Sequence, residues 1–108
     1  MMEKIEKATV FNPSNEVEYT GNGIVSKRIL EQTNGNISLF SFDQGQKLSE
    51  HTAPFDAVIQ VIDGTAEIMI DRKPHIVNAG EFIIMPANIP HAVNAVEKFK
   101  MILVMIKG

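Results

Sequence analysis

Cysteine is absent from the sequence. Its absence excludes disulfide bonds, thiolate nucleophiles and cysteine ligands for a metal ion. A protein that needs no covalent cross-link fits the reducing cytoplasm, and we expect that compartment.

The sequence also lacks the features of a nucleic-acid or membrane partner. Its ten lysines and arginines form no run of three and the formal net charge is −3, so a basic patch for phosphates is not expected. No apolar run approaches the roughly 20 residues of a membrane helix. The densest run, Met101–Ile106, has the length of a strand, and residues 1–10 lack the apolar centre of a signal peptide.

What is present is a series of short apolar segments between turn residues, within 108 residues that make one domain. A spacing of about 8–12 residues is typical of an antiparallel all-β barrel or sandwich, and Asp63-Gly64 predicts a hairpin. The predicted strands are Ile24–Leu30, Ile37–Phe42, Ala57–Ile62, Thr65–Ile70, His75–Val77, Phe82–Met85, His91–Ala95 and Phe99–Ile106.

Residues 1–23 are expected to form an N-terminal segment, either an extra strand or a dimer arm, and residues 24–108 the barrel domain. The predicted strand Ala57–Ile62 is mostly apolar on both faces, and so is the last predicted strand over Met101–Ile106. Such strands are covered on both sides, and in a small barrel the second covering must come from elsewhere. A second copy of the chain is the simplest source, so we predict a homodimer.

Two segments carry a resemblance to a known family. In the first, Gly45 is followed after five residues by His51, and further on by Gly64. In the second, Gly80 is followed by Pro86, Asn88 and His91. Together they resemble the two motifs of the cupin superfamily, and the chain looks like a small single-domain bacterial cupin of the conserved-barrel type. The resemblance implies a double-stranded β-helix, or jelly-roll barrel, with both motifs facing its interior.

The departures from the family pattern concern the metal. In metal-binding cupins the first motif carries a second histidine and a glutamate as ligands, and those positions are Ala53 and Ala57 here. Only His51 and His91 remain of the usual ligand set. A catalytic divalent site normally has three protein ligands, and alanine supplies none. The sequence therefore leaves two alternatives for the cofactor: none, or a divalent Mn, Fe, Ni, Cu or Zn ion. A third ligand for such an ion could come from Gln60, His75 or Asp56.

The candidate ligand-binding residues combine these histidines with apolar wall positions. Histidine donates or accepts hydrogen bonds and titrates near neutral pH. The two alanines should make the pocket roomier and more apolar, which favours a small organic molecule with one polar end. The predicted set is His51, His91, Phe55, Ile59, Met85 and Met101.

Other residues have simpler interpretations. We expect His75 to be an exposed turn histidine and Asp56 to stabilise its own turn. The methionines Met69, Met85, Met101 and Met105 are expected to pack in the core, although thioethers with histidine could also hold Cu(I).

Three functions therefore follow from the sequence. The leading one is a small-molecule-binding barrel. The second is a metal-dependent enzyme of the dioxygenase or isomerase type, and the third is a non-catalytic structural or interaction barrel. The sequence names no catalytic residue among them.

Overall fold

The computed structural model describes residues 5–107, and their regular secondary structure consists almost entirely of antiparallel strands. A short 3-10 turn, Pro13–Asn15, precedes them. The strands are β1 (Ile24–Gln32), β2 (Gly35–Phe42), β3 (Lys47–His51), β4 (Ala57–Ile70), β5 (Lys73–Asn78), β6 (Phe82–Met85), β7 (His91–Asn94) and β8 (Phe99–Ile106). In this part of the chain no helix is long and apolar enough to cross a membrane.

The strands form two facing sheets that share β4. The first sheet has the order β1, β2, β8, β4 and β6, and uses the first half of β4. The second has the order β3, β7, β4 and β5, and uses the second half of β4. Every pairing is antiparallel, which confirms the predicted jelly-roll barrel.

The predicted hairpin at Asp63-Gly64 is wrong, because β4 runs through these residues as one strand. The register with β8 shifts between Val61 and Asp63, and Gly64 has a φ of +73°. This is a β-bulge, which bends a strand and increases its twist without reversing the chain. The Asp-Gly pair therefore marks the point where β4 leaves the first sheet and enters the second.

The strand β3 was not predicted. Its residues, Lys47–His51, are mostly polar and exposed, and only Leu48 is partly buried. An edge strand of this composition has no apolar alternation to reveal it. Among the strands of residues 5–107 it pairs with β7 alone, and it carries His51.

Residues 5–23 contain no strand, so the alternative of an extra N-terminal strand is not seen there. Residues 1–4 of the predicted N-terminal segment, and Gly108, lie outside the described residues. The segment packs on the face of β2 opposite Phe40 and Phe42, where Val17 is buried. The Ser41 hydroxyl donates to the Glu18 carbonyl at 2.7 Å, and the Lys100 ammonium donates to the Ser14 carbonyl at 2.6 Å.

Tyr19 fastens the end of this segment to the bulge. Its hydroxyl donates to the Asp63 carboxylate at 2.5 Å. Burial, this hydrogen bond and the negative charges of Asp63 and Glu97 all raise the pKa of Tyr19 well above its usual range. The tyrosine therefore stays protonated and remains a hydrogen-bond donor at any ordinary pH.

The glycine at the bulge allows a direct test. A Cβ at Gly64 would lie 2.2 Å from the Lys98 carbonyl oxygen, whereas a Cβ at Gly80, which also has positive φ, would meet nothing within 4 Å. We expect Gly80→Ala to lower the free energy of unfolding by about 1–2 kcal/mol through backbone strain alone. Gly64→Ala adds a steric overlap and should cost at least about 3 kcal/mol. Urea unfolding of both variants measures this, and equal losses would show that the close approach is not a constraint.

Candidate functional site

The side chains that fill the interior of the barrel become smaller from one end to the other. At the end near the bulge, the rings of Phe42 and Phe99 stack with centroids 4.6 Å apart and fill the space between the sheets. Paired residues of neighbouring strands form successive inward-facing rows along the barrel. Two rows beyond the phenylalanines Ile59 is paired with Leu103, and the last row centres on Ala57. An alanine at this position leaves the end of the barrel incompletely filled.

A cavity of about 120 Å³ occupies that end. Its lining is apolar apart from two imidazoles. The lining residues are Leu48, His51, Ala53, Ala57, Ile59, Met85, His91, Val93, Met101, Leu103 and Met105. Both sheets contribute, so the cavity lies between them rather than on a face.

Pairing of β3 with β7 brings the two histidines together. A register shift between Leu48 and His51 places His51 directly opposite His91. Their Nε2 atoms are 3.1 Å apart, and the rings meet edge to face with centroids 4.3 Å apart. His91 is buried with 6% of its surface exposed, whereas His51 is exposed. The pair therefore stands at the mouth of the cavity, with His91 on the inner side.

Hydrogen bonds to the main chain fix the tautomers of both rings. Nδ1 of His51 lies 2.7 Å from the Ser49 carbonyl, and Nδ1 of His91 lies 3.2 Å from the Ile89 carbonyl. A carbonyl oxygen only accepts, so each Nδ1 carries the proton, and each neutral ring keeps a lone pair on Nε2. Two lone pairs then face each other across 3.1 Å. That contact is repulsive until a proton, a hydrogen-bond donor or a cation comes between or beside them.

Burial lowers the pKa of His91. Loss of hydration is the largest cause; the hydrogen bond to the Ile89 carbonyl opposes it, and the charge of His51 adds to it. His91 is therefore neutral at pH 7 and acts there as a hydrogen-bond acceptor into the cavity.

The donor set does not fit the divalent metal that the resemblance implies. Ala53 and Ala57 line the cavity without offering a ligand atom. Within residues 5–107 no group of three His, Cys, Asp or Glu side chains converges anywhere. Two neutral imidazoles leave a divalent charge uncompensated in an apolar cavity, and we derive no chemistry through such an ion.

None of the conceivable third ligands lines the cavity. Gln60 alternates with the buried Ile59 and so lies on the outer face of β4. His75 is exposed on β5, with its Nδ1 3.3 Å from the Ile68 carbonyl. The Asp56 carboxylate accepts a hydrogen bond from the Ala87 amide at 2.8 Å, so it ties two loops together instead of only stabilising its own turn.

Phe55 is not in the cavity wall, which corrects the sequence-based expectation. It lines a separate surface depression with Pro54, Asp56, Ala87 and Ile106. Asp56 holds the loop in this orientation through its bond to Ala87, and the Lys107 ammonium lies 5.8 Å from the centre of the Phe55 ring. The residue belongs to an irregular loop, where strand alternation cannot assign a face.

The other predicted residues, His51, His91, Ile59, Met85 and Met101, all line the one cavity. Whether they bind a ligand stays a prediction. Alternation along β8 from Met101 could also have identified Leu103 and Met105, and alternation from His91 could have identified Val93. Leu48 had no such signal because its strand was missed.

Comparison with known proteins gives consistent results. The family model of the cupin domain matches residues 38–107. A conserved protein of unknown function from Streptococcus pyogenes is 38% identical, with a TM-score of 0.92 over 99% of this chain and 94% of that chain. The search of curated proteins found no match.

Two further solved structures are similar. A cupin 2 conserved barrel domain protein from Leptotrichia buccalis is 45% identical, with a TM-score of 0.88 over 90% of this chain and 47% of that chain. This chain thus spans about half of that protein's length. A cupin superfamily protein from Desulfitobacterium hafniense, 22% identical, has the same fold with a TM-score of 0.90 over 100% of this chain and 99% of that chain.

The environment of His91 predicts its titration. We expect the pKa of the His91 imidazole to lie below the ordinary value of 6.5. NMR titration of its ring C–H signals measures this pKa. Since the folded pKa is the lower one, the fold binds fewer protons than the unfolded chain. This residue's contribution to the free energy of unfolding is complete above pH 6.5 and is lost as the pH falls through the folded pKa. In His51→Asn the midpoint should rise, because the electrostatic effect of His51 that lowers it is removed, yet stay below 6.5 because burial remains. A His91 midpoint at or above 6.5 in the parent protein would contradict this environment.

Proposed function

The chain belongs to the cupin family, and on that basis we propose that it binds a small molecule inside the barrel, at the mouth guarded by His51 and His91. The observation that carries the proposal is the convergence of two Nε2 lone pairs, 3.1 Å apart, on an otherwise apolar cavity. The Nε2 atom of the buried His91 is an acceptor at the edge of this cavity, so the site is complementary to a ligand that supplies a donor to it.

The fixed tautomers narrow the class of ligand. Because both Nδ1 protons are used by backbone carbonyls, the neutral pair offers only acceptors to the cavity. A hydroxyl group of an alcohol, phenol or enol satisfies such acceptors, whereas a carboxylate or a ketone brings further lone pairs. The proposed ligand therefore has a hydroxyl end at the histidines and an apolar body in the cavity.

The size of the cavity limits that body. A volume of about 120 Å³ corresponds to about four water molecules of ~30 Å³ each. An apolar cavity of about 150 Å³ in another protein accepts benzene. The cavity thus suits a single small ring or a short branched chain, held by apolar side chains such as Ile59, Met85 and Met101.

The two other functions have less support. A metal-dependent dioxygenase or isomerase needs more histidine or carboxylate ligands than the two histidines provide, and within residues 5–107 no third side chain of that kind joins them. A purely structural barrel does not explain why its interior contains a cavity beside two imidazoles in edge-to-face contact. We therefore propose binding and assign no catalytic residue.

We also propose that the protein works as a homodimer. An apolar row crosses the outer face of the first sheet through successive paired residues, and its two end members are exposed: Leu30 (37%) and Ile84 (63%). The row consists of Leu30, Ile37, Val104, Val58 and Ile84. Phe82 and Ile106 extend it, with more than half of each side chain exposed. A second copy, related by a two-fold axis, would cover this face with the same face of its own.

The ligand proposal is tested with two molecules of nearly equal shape. Phenol carries the hydroxyl that the lone pairs need, and toluene carries a methyl group in its place. We expect phenol to bind metal-free protein several-fold more tightly, since a hydrogen bond to a buried acceptor contributes about 1 kcal/mol. NMR titration at pH 7.5 measures both affinities and locates the site through the signals of Ile59 and Leu103.

The matching control uses a histidine outside the site. His51→Ala should remove most of the preference for phenol, and His75→Ala should leave it unchanged. Equal binding of phenol and toluene to the parent protein, or shifts confined to residues away from the cavity, would refute the proposal.

The dimer proposal is tested by a charge at the centre of the apolar row. We expect the parent protein to have twice the 12.0 kDa mass of the chain in size-exclusion chromatography with light scattering. Val104→Lys should shift the mass to that of one chain, because a lysine would be buried in the middle of the contact. Ile76→Lys changes an exposed isoleucine on β5, away from the row, and should leave the dimer intact. A parent protein of 12.0 kDa at micromolar concentration would rule the dimer out.

A further inference from the structure

The histidines share their cavity with three methionines. Met85 and Met101 are buried, with 4% and 1% of their surfaces exposed, and Met105 is partly buried. All three line the cavity with His51 and His91. The enclosed volume is only about 120 Å³, so the three methionines and the two histidines border one small space.

The strand register explains why the thioethers gather there. Ala57 is paired with Met85 of β6 on one side and with Met105 of β8 on the other. Directly opposed residues in a sheet point to the same face, with Cβ atoms about 4.5–5.5 Å apart. Because the side chain of Ala57 is only a methyl group, it leaves the space between the two methionines open, and both side chains border the cavity. Two methionine side chains therefore line the cavity beside Ala57, the position where the sheet offers no carboxylate.

We propose that this cavity is a binding site for monovalent copper, Cu(I), held by Nε2 of His51 and His91 and by thioether sulfur from Met85 and Met105. Thioethers are soft ligands that select Cu(I), and imidazole suits copper as well. Met101 stands in the same wall as a further sulfur donor. This proposal does not rest on the small-molecule function, because it uses the sulfur atoms rather than the shape of the cavity.

The charge of the site favours a monovalent ion. All five donors are neutral, and no carboxylate among the described residues lines the cavity. The cost of transferring an ion into an apolar environment increases with the square of its charge, so a doubly charged ion without a compensating anion is strongly disfavoured. Cu(I) carries the smaller charge and gains most from the sulfur donors. The same features that make the site unsuitable for a divalent cation therefore suit this one.

The main-chain contacts of the histidines support the same reading. Each ring donates its Nδ1 proton to a backbone carbonyl, Ser49 for His51 and Ile89 for His91. Such outer hydrogen bonds orient metal-binding imidazoles and increase the basicity of the other nitrogen. A cation held by both Nε2 atoms would also remove the repulsion between their lone pairs.

The test titrates metal-free protein with Cu(I) under an inert atmosphere, in competition with a coloured Cu(I) chelator. We expect one Cu(I) per chain and much weaker binding of Zn(II). The double variant Met85→Leu/Met105→Leu removes both sulfurs and nearly preserves volume, so it should fold normally. Its affinity for Cu(I) should fall at least tenfold.

Met69→Leu is the matched control. Met69 is the neighbour of the fully buried Ile68 on β4, faces the opposite side of the strand, and does not line the cavity. Its replacement should leave the affinity for Cu(I) within about twofold of the parent value, because a substitution outside the site acts independently of it. X-ray absorption of the loaded protein should show both nitrogen and sulfur ligands.

Three results would overturn the proposal: no stoichiometric Cu(I), an unchanged affinity in the double variant, or a copper spectrum without sulfur. The phenol and toluene comparison is made on metal-free protein and depends on the hydroxyl group. The two proposals can therefore fail separately.

Discussion

The barrel depends on one irregularity in one strand. The bulge at Gly64 allows β4 to pair with β8 and β6 before it and with β7 and β5 after it. A regular strand of 14 residues would stay in a single sheet, and the apolar faces of the two sheets would not oppose each other. Glycine is needed because the Lys98 carbonyl occupies the space of a Cβ. The core between the sheets, and the cavity at its far end, both follow from this crossing.

The gradient of side-chain size along that core decides where the hollow lies. Stacked phenylalanines close one end, and Ala57 leaves the other end open. The cavity thus results from small residues at specific positions on an otherwise ordinary sheet. The edge strand β3 then supplies the polar part, since its register shift sets His51 opposite His91.

Much of this was readable in the sequence because it depends on local pattern. Phe82–Met85 and Phe99–Ile106 were predicted with their observed bounds, since apolar runs flanked by turn residues define them. The motif spacing correctly joined His51 to His91 across 40 residues. Prediction failed where tertiary context replaces local pattern. The Asp-Gly pair that usually closes a hairpin here forms a bulge, the polar edge strand β3 shows no alternation, and Phe55 lies on a loop whose direction is fixed by the contact between Asp56 and Ala87.

The separation of the two imidazoles also determines how anything can bind between them. At 3.1 Å, the Nε2 atoms leave room for a shared proton on the line that joins them, but not for a heavier atom. A hydroxyl oxygen at an ordinary hydrogen-bond distance of about 2.8 Å from both nitrogens must stand beside that line, at the apex of a triangle. The interior side of this apex is the cavity, where apolar side chains exclude water. His91, the buried member, stays neutral at pH 7 because a charge there would be poorly hydrated. Its Nε2 therefore acts as an acceptor toward the interior, and whatever occupies the apex must be electron-poor on the side that faces the nitrogens.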